Sequence, residues 1–175
     1  MDLCNRSARL EEEIGDVLGK RGLSLGLAES CTGGIIAARI TSIAGSSAYF
    51  TGGVVAYCNR VKESVLAVPS RELSEYGAVS HQVARSMAKG VKKLLKTDFG
   101  LSVTGIAGPG GGTPEKPVGL VYVALDGPAG TLSIELHLEG DRDRIRKATA
   151  DAALDMLRRE LFKIAKNVRE NEHCQ

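Results

Sequence analysis

Two glycine-rich segments, each directly after an apolar run, constrain the fold of this chain most strongly. The first covers residues 28–34 and follows the run at 23–28, whereas the second covers residues 105–114 and follows the run at 101–104. Short apolar runs bounded by turn signals are typical of buried strands. A glycine-rich turn between a strand and a helix exposes backbone N–H groups, which bind anions or a developing oxyanion. The pattern therefore predicts an α/β fold with a small-molecule site at its strand ends.

The composition is that of a single-domain globular protein. The chain has 175 residues, of which 43% are apolar and 25% are charged. A domain of this length buries roughly 70% of the surface of its unfolded chain. Without an internal repeat or a low-complexity segment, we interpret residues 1–175 as one domain. Its core is expected at about 8–166, followed by a frayed polar tail at 167–175.

Charge, aromatic content and cysteine spacing argue against several classes of protein. The net charge of +2 is small and only 4% of the residues are aromatic, so no nucleic-acid surface is predicted. No run approaches the roughly 20 apolar residues of a membrane span, and the charged N-terminus does not resemble a signal peptide. The four cysteines have neither metal-ligand nor disulfide-framework spacing. We therefore expect a cytoplasmic protein with reduced thiols, no metal and no cofactor.

The order of the expected elements predicts the architecture. Strands are expected at residues 23–28, 54–58, 99–104, 118–125 and 131–138. Helices are expected at residues 9–20, 32–43, 60–67, 141–165 and, after an N-cap at Ser80, up to Lys96. This order predicts a three-layer α/β/α sandwich around a mixed, mainly parallel sheet of five to six strands. Ligands of such sheets bind at the carboxyl ends of parallel strands, where Ser30, Tyr57 and Thr104 are all expected.

Ser30 and Lys62 are the candidate nucleophile and base. Ser30 lies on a strand-to-helix turn beside N–H groups that could hold an oxyanion, although a plain helix N-cap would also use a serine. None of the three histidines is suitably placed, so a Ser–His–Asp triad is not predicted. Lys62 can act as a base only if burial or nearby positive charge lowers its pKa from about 10.4. The alternative for Lys62 is an ordinary solvated lysine.

Cys31 is a rival candidate for the nucleophile. A thiol is intrinsically more nucleophilic at neutral pH, and the same helix start could activate it. The alternative for Cys31 is a small buried residue on the first helical turn. Because adjacent residues at a helix start point roughly 100° apart, Ser30 and Cys31 are not both expected to attack one carbonyl.

The second glycine-rich segment and a basic cluster are further candidates for binding. The loop at 105–117 is either a mobile lid or a plain surface loop, and its length and position favour binding. Lys116 within this loop is expected to be exposed. Arg142 belongs to a basic cluster at the start of the last helix, which forms either a solvated, salt-linked turn or a phosphate-binding site.

Seven short stretches, taken in order, resemble the CinA C-terminal domain family, which includes stand-alone nicotinamide mononucleotide deamidases of the PncC type. These stretches are residues 28–34, 45–47, 57–62, 77–80, 104–112, 115–119 and 140–142. Each stretch is weak by itself, but the ordered set is highly specific and covers about residues 10–157. Members of this family usually have serine at the position of Cys58, which is a conservative difference in size.

The resemblance implies that the chain hydrolyses the carboxamide of nicotinamide mononucleotide, releasing ammonia and nicotinic acid mononucleotide, without a metal. The family's serine–lysine dyad falls on Ser30 and Lys62, and its site tyrosine falls on Tyr57. Thr104 falls in the same pocket. The other residues expected to bind the substrate are Thr32, Gly33, Gly34, Gly105 and Arg142.

The resemblance leaves one alternative function and adds an expectation about assembly. A catalytically silent nucleotide-binding or regulatory module of the same fold is the alternative to an enzyme. The presence of Ser30, Tyr57 and Lys62 together favours the enzyme, because binding alone does not require a lysine beside a serine. Members of this family also tend to self-associate, and residues 45–50 place two aromatics beside a turn that is expected to be exposed. A homodimer is therefore expected.

Overall fold

The computed structural model describes the backbone of residues 3–172 and the side chains of residues 10–164. Within this range the helices are α1 (Leu3–Arg21), α2 (Ile35–Thr41), α3 (Asn59–Ser64), α4 (Ser70–Tyr76), α5 (His81–Leu95) and α6 (Arg142–Glu172). The strands are β1 (Leu25–Glu29), β2 (Phe50–Val55), β3 (Phe99–Gly105), β4 (Leu120–Gly127) and β5 (Gly130–His137).

The strands form one mixed sheet in the order β2-β1-β3-β4-β5. β1 is parallel to β2 and β3, whereas β4 and β5 form an antiparallel hairpin beside β3. The expected α/β sandwich is therefore confirmed, with five strands and the parallel part at one side of the sheet. The chain leaves β1 toward β2 on one side and then crosses over to β3 on the other. At such a reversal of strand order a crevice opens beyond the carboxyl ends of the strands, here those of β1 and β3.

Alternate residues of the central strands face opposite helix layers, because side chains in a strand have a period of two. Leu25 and Leu27 of β1 pack in the larger core, with α1, α2 and α6. Ala28 points the other way and packs in the core under α5. The alternation continues past the end of the strand, so that Glu29 turns toward α2 and Ser30 turns toward α3.

The helix capped by Ser80 is confirmed in detail. The Ser80 hydroxyl accepts a hydrogen bond from the backbone N–H of Val83, and the apolar face that includes Val83 and Val91 is buried. The helix ends one residue before its expected end, because Lys96 has a left-handed backbone with φ of 53°. A backbone in this region cannot continue a right-handed helix.

Several element boundaries differ from expectation, including those of α1, which begins at Leu3 rather than at residue 9, and α3, which ends at Ser64 rather than at residue 67. α2 begins at Ile35 rather than at Thr32, because Gly33 and Gly34 have φ of 62° and 102° and form a turn. β2 lies about four residues earlier than expected, since glycines interrupt its apolar pattern. Gly53 permits close packing there, because a Cβ at this position would lie 3.3 Å from the Cβ of Leu27. The last helix extends past 165 to residue 172, so that residues 167–172 of the expected polar tail are helical.

α4 was not expected. The turn before Tyr49 is largely exposed, as expected, but Tyr49 itself is buried. α4 follows Pro69 and buries only Leu73, so it lacks the apolar stripe that would reveal a helix. Tyr49 is 5% exposed and packs in the core beside α1, where a Cβ on Gly15 would lie 2.7 Å from its hydroxyl oxygen. Tyr49 therefore supplies no exposed aromatic surface for a dimer. None of the helices between residues 3 and 172 is long and apolar enough to cross a membrane.

Candidate active site

The side chains of Ser30 and Lys62 meet beyond the carboxyl ends of β1 and β2. The amine Nζ of Lys62 lies 3.1 Å from Ser30 Oγ and 2.8 Å from the carbonyl oxygen of Ala56. Ser30 is 8% exposed and Lys62 only 2%, so the pair is almost completely withdrawn from solvent. Lys62 is therefore a buried residue and not the solvated lysine that the sequence left open.

Two backbone connections hold this pair in place. Ser30 directly follows β1, and its backbone N–H donates to the carbonyl oxygen of Val103 in β3. Lys62 lies in the last turn of α3, and its carbonyl oxygen accepts a hydrogen bond from the N–H of Val68. The carbonyl of Ala56, which lies between β2 and α3, gives the amine a second partner. Strand, helix and connecting segment thus fix the two reactive atoms relative to each other.

Burial lowers the pKa of Lys62 below its usual value of 10.5. Desolvation is the largest cause, because removal from water disfavours the charged ammonium. The negative charges of the Cys58 and Cys31 thiolates, where these groups are ionised, would oppose this shift by favouring the charged amine. A neutral amine can donate one N–H to the Ala56 carbonyl while its lone pair accepts the proton of the Ser30 hydroxyl. The pair therefore has the geometry of a nucleophile with its base.

Tyr57 and Arg142 form one side of the crevice. The guanidinium of Arg142 donates from Nη2 to the Tyr57 hydroxyl at 2.8 Å and from Nη1 to the carbonyl oxygen of Gly108 at 2.7 Å. Tyr57 is 61% exposed, so its ring is open to solvent while its hydroxyl is held. Arg142 at the start of α6 therefore connects the tyrosine with the glycine-rich loop after β3.

Thr32 is held from α6 as well. Its carbonyl oxygen accepts a hydrogen bond of 2.6 Å from Nη2 of Arg146, which belongs to the same basic cluster as Arg142. The Thr32 side chain is fully buried, and its hydroxyl has no hydrogen-bond partner. Gly33 and Gly34 complete the turn with left-handed backbones. Arg142 and Arg146 are four residues apart and therefore lie on one face of α6. This spacing is the sequence signal that both side chains reach the same site.

Thr104 and Gly105 end β3 beside Ser30. The register between β1 and β3 pairs Glu29 with Val103, so that Thr104 follows on the same face as Ser30. The Thr104 hydroxyl donates to the carbonyl oxygen of Ala78 and is 1% exposed. A Cβ on Gly105 would lie 2.6 Å from a methyl group in the neighbouring strand β4. Packing within the sheet is thus sufficient reason for glycine at this position.

Lys116 fastens the loop after β3 to the end of α4 and to the segment that follows it. Its amine donates to the carbonyl oxygens of Tyr76 at 2.5 Å and Val79 at 2.7 Å, and the side chain is half-buried. The expectation that Lys116 would be merely exposed is therefore wrong. The loop is attached near one end by Lys116 and near the other by Arg142.

Cys31 lies next to the nucleophile turn but is poorly suited to attack. Burial raises the pKa of its thiol to about 11. The N–H groups of Cys31 and Thr32 favour the thiolate, the Glu29 charge disfavours it, and Lys62 favours it slightly, but desolvation is the largest effect. At neutral pH the group is a thiol, which is a much weaker nucleophile than a thiolate.

In the turn at residues 30–34, some backbone N–H groups already donate hydrogen bonds within the chain and others do not. The N–H of Ser30 donates to β3, that of Gly33 donates to the Ser30 carbonyl, and that of Gly34 donates to the Glu29 carboxylate. The N–H groups of Cys31 and Thr32 instead face the Cys31 sulfur. Among the N–H groups of residues 30–34, these two are the ones that no backbone or carboxylate acceptor engages.

The two described histidines lie away from the crevice. His81 contacts Ser133 at 2.9 Å, and His137 contacts Glu135 at 2.8 Å, both on the hairpin side of the sheet. His173 lies outside the described residues. Among the residues that the structure describes, no group of three His, Cys, Asp or Glu side chains is arranged to hold a metal ion.

Comparison with known proteins gives the family. A family model described as the CinA C-terminal domain matches residues 7–161. The chain belongs to the CinA C-terminal domain family. A CinA-like protein of Citrifermentans bemidjiense is 53% identical over 153 residues, which are 87% of this chain and 37% of that protein. A CinA-like protein of Dictyoglomus thermophilum is 54% identical over 156 residues, with shares of 89% and 38%. This CinA domain therefore spans less than two fifths of these relatives.

Solved structures have the same fold. The competence/damage inducible protein CihA of Agrobacterium tumefaciens superposes with a TM-score of 0.84 and is 44% identical, covering 86% of this chain and 93% of its own. The competence damage-inducible protein A (ComA) of Klebsiella pneumoniae has a TM-score of 0.86 and 32% identity, with coverage of 89% and 96%. The CinA fold of the chain is thus shared over nearly its whole length.

Proposed function

We propose that this CinA domain is an amidohydrolase that converts nicotinamide mononucleotide to nicotinic acid mononucleotide and ammonia. The observation that carries the proposal is the buried pair of Ser30 Oγ and Lys62 Nζ at 3.1 Å, with a lowered pKa of Lys62. A structural lysine gains nothing from burial beside a serine, whereas a general base requires it. The choice of substrate rests on the resemblance to deamidases of this family.

The proposed reaction has two halves. In the first, Ser30 Oγ attacks the carboxamide carbon while neutral Lys62 takes the hydroxyl proton. The N–H groups of Cys31 and Thr32 hold the oxyanion, and one such donor typically contributes 2.7–4 kcal/mol. The C–N bond then breaks, and Lys62 returns its proton to the departing ammonia. In the second half, water attacks the acyl-enzyme while Lys62 again accepts a proton, and the carboxylate product and free Ser30 are released.

The remaining residues of the crevice bind the substrate in this proposal. The exposed ring of Tyr57 offers a flat aromatic face to the pyridinium ring, and a cationic ring interacts favourably with such a face. The positive charge of the substrate also lowers the pKa of Lys62 further. Arg142 and Arg146, both on the first turns of α6, supply the positive charge for the phosphate.

The decisive experiment is ammonia release from nicotinamide mononucleotide by the purified chain, compared with the variants Ser30→Ala and Lys62→Ala. Turnover by the wild type that both variants abolish, with circular dichroism unchanged, is the expected result. Wild-type protein that binds the nucleotide without turnover would contradict the proposal and favour a nucleotide-binding or regulatory module. Lys163→Ala, which removes an exposed lysine from α6, is the matched control and is expected to retain activity.

A further inference from the structure

Glu29 is a buried acid at the end of β1, and its partners are backbone N–H groups. The residue is 2% exposed. Its carboxylate accepts hydrogen bonds from the N–H groups of Gly34 at 2.9 Å, Ile36 at 3.2 Å and Ala37 at 2.8 Å. These groups lie at and just inside the start of α2, where backbone donors have no partner within the helix. Glu29 therefore caps a helix that begins six residues after it in the sequence.

This cap closes the turn that contains the candidate nucleophile. The Glu29 backbone is fixed in the sheet, because it pairs with Val55 on one side and with Val103 on the other. Its carboxylate is fixed to the start of α2, which begins after Gly34. Ser30 lies directly after the fixed residue, within the segment between these two attachments. The N–H of Ser30 is itself bonded to Val103 in β3, so a displacement of α2 relative to β1 would act on Ser30 through residues 31–34, which connect it to the helix.

The same hydrogen bonds prevent an anion from binding at the start of α2. A strand, a glycine-containing turn and a helix start form a common phosphate-binding arrangement. Here a carboxylate of the chain itself occupies the donors that a phosphate would use. Gly33 and Gly34 shape the turn through their left-handed backbones rather than by admitting a phosphate to the helix start.

We infer that Glu29 is a positioning residue, which sets Ser30 Oγ against Lys62 by capping α2 and which keeps external anions from the start of that helix. This inference rests on the proposed function of Ser30 as the nucleophile. It assigns Glu29 no direct contact with the substrate. The charge of Glu29 lies on the opposite side of the sheet from Lys62, because successive residues at the end of β1 point to opposite faces.

The test replaces Glu29 by glutamine, which has the same shape but lacks the charge and turns one acceptor into a donor. We expect kcat to fall about 100-fold, as is typical for a misplaced reactive group, with KM within about threefold of the wild type. Amide hydrogen exchange is expected to accelerate at Gly34, Ile36 and Ala37. Formate is expected to restore activity to Glu29→Ala in proportion to its concentration, whereas neutral formamide is not, because only an anion replaces the carboxylate.

The matched control is Asp98→Asn. Asp98 is also a carboxylate that accepts a backbone N–H, that of Ser24 at 2.7 Å, but it lies at the opposite end of β1 and β3. Its replacement by the amide is expected to lower stability and to leave kcat unchanged. The inference is overturned if Glu29→Gln retains the wild-type kcat. It is also overturned if the kcat of Glu29→Gln falls no further than that of Asp98→Asn when the two variants lose equal stability.

Acylation of Ser30 by p-nitrophenyl acetate, detected by the mass of the intact chain, separates this inference from the proposed substrate. A wild type that is acylated but does not release ammonia from nicotinamide mononucleotide contradicts the proposed function alone. The rates of acylation of Glu29→Gln and Asp98→Asn then decide the role of Glu29. A wild type that shows neither reaction overturns both.

Discussion

Replacing Lys62 with methionine separates the thermodynamic cost of the buried amine from its proposed chemical role. Methionine has a similar length but no charge, and Lys62 is almost completely buried. Below the lowered pKa of Lys62, the folded and unfolded chains both hold its proton. Between that pKa and the usual value of 10.5, the unfolded chain holds one more proton. Wild-type stability therefore gains up to about 1.4 kcal/mol per pH unit in this window, relative to the variant.

Two acceptors lose their donor in the variant. The carbonyl oxygen of Ala56 and the Ser30 hydroxyl both face the amine, and an unsatisfied buried acceptor costs about 1–3 kcal/mol. At high pH, where the wild-type amine is neutral, we expect Lys62→Met to be the less stable chain. Toward neutral pH this difference is expected to shrink, because the charged amine destabilises only the wild type.

Urea unfolding at 25 °C between pH 7 and 10, analysed with equal m-values, measures the difference in stability at each pH. Lys93→Met removes an exposed lysine from α5 and controls for the loss of a side-chain amine. A difference between wild type and Lys62→Met that does not change with pH would refute the argument, since it would mean that Lys62 titrates alike in the folded and unfolded chains. Turnover is expected to be absent in Lys62→Met at every pH.

Three further results are expected. Iodoacetamide at pH 8 is expected to modify exposed Cys58 before Cys31, whose thiol has a pKa of about 11, as peptide mass mapping would show. Cys31→Ala is expected to retain most of the turnover, measured as ammonia release. Gly90→Ala is expected to lower the urea midpoint, although alanine favours a helix by about 1 kcal/mol, because its Cβ would lie 2.0 Å from a backbone oxygen. Tyr57→Phe is expected to raise KM severalfold and Arg142→Ala to raise it more, because Arg142 also bonds the carbonyl oxygen of Gly108 and is proposed to bind the phosphate. The double variant is expected to match Arg142→Ala, since the bond between the two side chains is already lost in either single variant.

The sequence predicts those helices and strands whose buried residues recur with the period of the element. α5 is the clearest case, because Ser80 is a strong N-cap and the buried face repeats with the helical period. α4 was missed because only Leu73 is buried and the helix is held mainly by contacts with α5. β2 was displaced because its glycines serve close packing against β1, which a search for apolar residues cannot detect.

The candidate site was predictable in its residue types but not in its contacts. Ser30 could be named because it follows a predicted strand. Lys62 could be named because it comes just after the next predicted strand and matches the lysine of the family's dyad. The carbonyl of Ala56 could not be named from the sequence, because every residue has a backbone carbonyl and only the fold brings this carbonyl to the Lys62 amine. Glu29 was overlooked although it precedes the nucleophile. In a strand, successive side chains point to opposite faces. Extending this rule one residue past the hydrophobic run predicts that the Glu29 carboxylate points toward α2, where it needs a hydrogen-bond partner.

This alternation also bears on the proposed role of Lys62 as a base. A carboxylate beside the amine would favour the ammonium and raise its pKa, and the nearest acid in the sequence motif, Glu29, is directed to the other face of the sheet. Cys58→Asp tests this directly, because residue 58 is the exposed N-cap of α3 and its charge acts on Lys62. Asparagine caps helices about as well as aspartate but has no charge, so Cys58→Asn is the matched control.

We expect Cys58→Asp to move the rising limb of kcat/KM against pH toward higher pH than in Cys58→Asn, with similar maximal rates. The added carboxylate raises the pKa of Lys62, so that less of the amine is neutral at pH 7 and more alkali is needed to form the base. Both variants are expected to unfold at equal or higher urea concentrations than the wild type, because each supplies an N-cap acceptor that Cys58 lacks. Coinciding pH profiles for the two variants would mean that deprotonation of Lys62 does not limit the reaction, and the proposed base would have to be sought elsewhere.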